Sequence, residues 1–252
     1  MFSEFHYSSI CSMKTPKEKR EIAQSEARDK LIKALSSAVP FGSAAYELIT
    51  TLIVPLHEEK KREYINDLAI RLKKLEDQGQ IDFEELAQNK EFNTIITKAI
   101  LLAQQNHQKE KLEALRNIVL NSTKWLNNGE PIFDWSHKFL MIVDQISPLH
   151  ILLLKTFRYP AKVARDKSLN FDEMVVASNK EVFFEMYPEL KERSALVSQC
   201  WKELTNYGFL ALDNFSNSKD SESMPYIHNH GQLKPQTTDF GNKFLDMIRD
   251  EY

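Results

Sequence analysis

Hydrophobic and polar positions divide this chain into helical periods broken by proline and glycine. Residues 34–56, ALSSAVPFGSAAYELITTLIVPL, carry a single charge, Glu47, and are too apolar to face water. Pro40 and Gly42 break the stretch and Pro55 ends it, which predicts a helical hairpin of two short halves buried in a bundle. Neither half supplies the roughly 20 uninterrupted apolar residues of a transmembrane helix. The alternative is a hairpin released into a bilayer, with Phe41, Gly42, Leu48, Ile49, Leu52 and Ile53 as its membrane-active residues.

In front of the hairpin, Thr15-Pro16-Lys17-Glu18 predicts a helix start, and a charged helix follows from about Pro16 to Ala38. Behind it, Tyr64, Ile65, Leu68, Leu72 and Leu75 recur at helical spacing up to a closing Gly79. A short helix near Phe83–Ala87 and a long one from about Phe92 to Trp125 come next. On the long helix His107, Asn117 and Asn121 fall on one face and predict a buried polar network. Asn127-Asn128-Gly129-Glu130-Pro131 is a turn cluster, and Phe133 to Ile146 predicts a bridging helix.

From Ser147 the pattern changes. SPLHILLLKTF is apolar nearly all round, SALVSQCWKELTNYGFL reads as a helix passing into a strand, and a long polar loop leads to TTDFGNKFLDMI, capped by Thr238. The expected fold class is mainly α, with a flexible arm at 1–13, a helical bundle at 14–128, the bridging helix at 129–146 and a C-terminal domain at 147–252. That last pattern resembles a winged-helix domain with a small β-hairpin.

Composition narrows the function classes. Six glycines in 252 residues leave little material for glycine-rich phosphate loops, and a formal charge of −3 gives no whole-molecule attraction to nucleic acid. Cys11 and Cys200 form no disulfide framework, and no secretory signal opens the chain, so a cytoplasmic location is expected. A winged helix implies DNA binding through its third helix. Over 182–207, however, Lys191, Arg193 and Lys202 face Glu185, Glu189, Glu192 and Glu203, a balance of −1 that argues for a protein partner or self-association instead. The basic cluster lies elsewhere, at Lys155, Arg158, Lys162, Arg165 and Lys167, and is a candidate phosphate or partner patch.

No nucleophile elbow, Walker loop, dinucleotide fingerprint or zinc motif occurs. His228-Asn229-His230 reads as part of a polar loop. The expectation is therefore no enzyme, no cofactor, no metal and no small-molecule substrate.

The Pro40-x-Gly42 break, the run from His107-Gln108 to Asn121-Ser122, the SPLH helix start and the TTDFG-x-x-FL ending resemble a family of uncharacterised bacterial cytosolic proteins, which implies no activity. The N-terminal half also resembles the four-helix bundles of cell-death executioner proteins. Together these lead us to expect a non-catalytic interaction protein, in a bacterial stress or phage-defence setting. The alternatives are a pore-forming effector that releases the 34–56 hairpin and a DNA-binding transcriptional regulator.

Overall fold

The computed structural model describes residues 26, 58–126, 132–171, 178–211, 227–228 and 232–250. The hairpin expected over 34–56, and all of the helix expected before it except Glu26, lie outside the described residues. The fold is mainly helical, as the periodicity predicts. The chain divides into two compact units, residues 1–93 and 94–252.

In the first unit, helix α1 (Glu58–Asp77) buries Tyr64, Ile65, Leu68, Leu72 and Leu75, the stripe read from the sequence. It ends in a left-handed glycine: Gly79 has φ +68°, and Gln80 N–H returns to the Leu75 carbonyl at 3.0 Å. Helix α2 (Phe83–Gln88) follows, and α3 (Lys90–Gln105) carries the chain into the second unit.

The long helix expected over Phe92–Trp125 is instead two helices, α3 and α4 (Lys109–Leu126), because residues 106–108 are not helical. Asn106 Nδ2 caps the Leu102 carbonyl at 2.8 Å, and the Gln108 carbonyl opens α4 by accepting from Leu112 N–H at 3.0 Å. Helix α5 (Ile132–Gln145) packs along α4, tied to it by a buried Ser122–Ser136 hydroxyl contact of 2.7 Å.

Helix α6 (Pro148–Arg158) starts at Ser147 with Pro148 in its first turn, and the proline geometry ends it at Tyr159. Helix α7 (Pro160–Asp166) leads away, so the basic cluster is divided between two helices. Helix α8 (Asn179–Met186) is opened by a capping box in which Ser178 Oγ accepts from Glu181 N–H at 3.2 Å, while Ser178 N–H donates to Glu181 Oε2 at 2.6 Å. A 3₁₀ segment (Pro188–Arg193) then enters α9 (Ser194–Asn206), which packs on α6.

After α9, Gly208 takes φ +75°, and Leu210 forms an isolated antiparallel bridge to Thr237. A short antiparallel pair, β1 (Ile227–His228) and β2 (Gln232–Leu233), lies between them in the chain. His228, expected in a loop, is therefore in a paired strand. Helix α10 (Asp239–Met247) is capped by Thr238 Oγ1, which accepts Gly241 N–H at 3.0 Å. Gly241 is needed there, since a Cβ would come within 2.4 Å of the Phe209 carbonyl oxygen.

Aromatic rings fill the core of this unit. Phe244 stacks on Phe209 at 4.7 Å and meets Phe139 edge-on at 5.3 Å; Trp201 meets Phe157 edge-on at 4.9 Å. Each ring is nearly fully buried, which makes α6, α9 and α10 one packed body.

Candidate interaction surface

The predicted network of His107, Asn117 and Asn121 is half realised. His107 sits in the break between α3 and α4 and is exposed, so it belongs to no network. Asn117 and Asn121 are buried on α4 and face the end of α10. Asn117 Nδ2 donates to the Ile248 carbonyl at 2.9 Å, and Asn121 Nδ2 to Met247 at 2.9 Å and Arg249 at 3.1 Å. The last carbonyls of a helix have no partner within it, and these amides supply one from another helix. The role is structural.

A second cluster has the outline of catalytic machinery. His150 Nε2 lies 2.8 Å from Glu203 Oε2, and Nδ1 lies 2.9 Å from Ser147 Oγ. Cys200 is buried close by on α9. The bonding fixes another role. Ser147 N–H donates to His150 Nδ1 at 3.0 Å, so Nδ1 is the acceptor and Nε2–H points at Glu203. His150 thus caps the start of its own helix while tying α6 to α9. Burial lowers its pKa, partly opposed by Glu203, and burial raises that of the Cys200 thiol, which therefore stays protonated.

Lys111 closes the cluster from α4. It is buried and donates to the Asp144 carbonyl at the end of α5, at 2.8 Å. Burial lowers its pKa, and its charge also pushes His150 towards the neutral form. Lys111, His150, Cys200 and Glu203 were not singled out by sequence reasoning. Glu203 was counted as a surface acid, whereas hydrogen bonds from Gln199 and His150 lower its pKa and engage both its oxygens.

On the outside, α9 buries Val197, Cys200, Trp201 and Leu204 and turns Ala195, Leu196, Gln199, Lys202 and Asn206 outward. Leu196 is 52% exposed, on the side of α9 away from the core. Glu185 is drawn towards Lys191 at 3.5 Å.

The basic residues separate by role. Lys155, Lys162 and Arg165 are exposed and outward. Arg158 is tied to Asp246 at 2.7 Å, and Lys167 Nζ sits 4.1 Å above the Tyr187 ring. Phe41, Gly42, Leu48, Ile49, Leu52 and Ile53 lie outside the described residues. Among the described residues no single helix is long and apolar enough to cross a membrane, and no group of three or more metal-ligating side chains is found.

No protein-family model matches the chain, and no curated protein or solved structure matches it significantly.

Proposed function

We propose that this protein is a non-catalytic interaction protein whose residues 147–252 form a winged-helix-like module that docks a protein partner along the outer face of α9. The observation that carries the reading is Leu196: a large apolar side chain, 52% exposed, beside the small and polar Ala195, Gln199 and Asn206. A docking helix needs an apolar anchor set in a polar surround.

The order of α6, α8, α9, the Leu210–Thr237 bridge and α10 supports the winged-helix part of the reading. The engagement of His150 in capping α6 at Ser147 and in tying that helix to Glu203 of α9 supports the non-catalytic part.

The experiment is a quantitative pull-down from the native host with wild type and Leu196→Glu. Leu196 points away from the core, so the variant should fold with an unchanged melting curve. The wild type should retain a discrete partner, or a second copy of itself, that the variant releases. Equal recovery by both would overturn the reading.

A further inference from the structure

The surface around Tyr159 combines features that the linear basic cluster does not reveal. Tyr159 lies at the break between α6 and α7 and is 54% exposed. The Arg158 guanidinium carbon stands 5.1 Å from its ring centroid and is pinned there by Asp246. Exposed cations lie on both helices that meet at Tyr159: Lys155 on the last turns of α6, Lys162 and Arg165 on α7. Lys234 joins them from the far end of the sequence. Gln236 N–H donates to the Phe157 carbonyl at 2.9 Å, and Leu233, like Val163 of α7, packs on the buried cluster of Ala164, Phe171, Val182 and Met186. Lys234, exposed between those two anchors, therefore emerges beside α7. The exposed acid on α7 is Asp166, so a chain of net charge −3 concentrates positive charge here.

We propose that this surface binds single-stranded nucleic acid, with its phosphates on Lys155, Lys162, Arg165 and Lys234 and one unpaired base stacked on the Tyr159 ring. Clustered cations take phosphate oxygens, and a flat aromatic ring takes a base only when that base is unstacked. Arg158 holds the ring by cation–π contact on one side, which prepares it for stacking on the other. A lipid surface would supply phosphates too, but bilayer binding calls for several apolar side chains together. The other large exposed apolar side chains among the described residues, Ile70 and Leu196, belong to other helices. This site does not depend on whether α9 docks a protein.

The test is fluorescence anisotropy of the full chain with labelled oligo-dT and oligo-rU of about 12 nucleotides, at about 50 and 200 mM salt. Wild type should bind both, more weakly at higher salt. Lys162→Ala with Arg165→Ala should lower the salt slope by about 1.4, since each phosphate neutralised on a single strand contributes ~0.7. Tyr159→Ala should weaken binding about tenfold, and Tyr159→Phe should restore it. Lys138→Ala, an exposed lysine on α5, should change nothing. Lack of oligonucleotide binding at the lower salt, binding indifferent to these residues, or binding only to phosphatidylserine vesicles would each overturn the proposal.

Discussion

Asn121→Ala should be among the more damaging polar substitutions in this protein. The wild-type amide nitrogen reaches the carbonyls of Met247 at 2.9 Å and Arg249 at 3.1 Å, with Asp246 further off at 3.4 Å. Asn121 is 3% exposed, so water cannot easily replace it. A typical net hydrogen bond contributes about 1 kcal/mol, and a buried acceptor left unpaired costs about 1–3 kcal/mol. The two shorter bonds together give a loss of about 2–4 kcal/mol, or roughly 5–15 °C in Tm for a chain of this length. Asn106→Ala is the internal comparison. It also removes an amide capping a helix carbonyl, Leu102 at 2.8 Å, but at a half-buried site where water can enter, so it should cost under about 1 kcal/mol. Urea unfolding followed by circular dichroism measures both. If Asn121→Ala costs no more than Asn106→Ala, the α4 amides are not what terminates α10.

Further outcomes follow from the same geometry. His150 has its pKa lowered by burial, so the folded chain binds fewer protons there than the unfolded one. Its contribution is fully present above the unfolded value of about 6.5 and declines as pH falls from there towards the lowered folded value. His150→Gln, which can still accept from Ser147 N–H, should flatten that part of the stability profile measured by urea unfolding between about pH 7.5 and 5.5; an unchanged profile would remove His150 as its source. Gly241→Ala should destabilise by about 1–3 kcal/mol because the added Cβ meets the Phe209 carbonyl oxygen, and thermal melting that finds no loss would refute the close packing. Gly208→Ala, at φ +75° in open space, should cost only about 1 kcal/mol by the same assay.

Where local chemistry decides, the sequence was readable. Ser147-Pro148, Thr238, Gly79 and Gly208 start or stop helices for reasons internal to a few residues, and the apolar stripe of α1 is buried as its spacing predicts. Asn117 and Asn121 were recognisable as a buried polar pair because they recur on one face of a helix expected to pack against its bundle. Their partners, about 125–131 residues away, were not. His107 was misplaced because the polar interruption from Asn106 to Lys111 was read as part of one helix, whereas residues 106–108 break it and Asn106 caps the Leu102 carbonyl.

Tertiary pairing hid the rest. Nothing near His150 in sequence indicates Glu203, 53 residues on, and a charge count cannot distinguish an engaged carboxylate from a solvated one. The basic cluster looked continuous, yet Arg158 turns to Asp246 and Lys167 to Tyr187, while Lys234 arrives from the other side of the loop. Linear spacing therefore located the basic segment but not which of its side chains are engaged elsewhere in the fold.

The docking role given to α9 is tested most directly by hydrogen–deuterium exchange on the chain with and without its captured partner. Slowed exchange over residues 194–206, centred on the turn that carries Leu196, is the predicted result. Unchanged exchange there, with protection appearing elsewhere on the chain, would contradict the account.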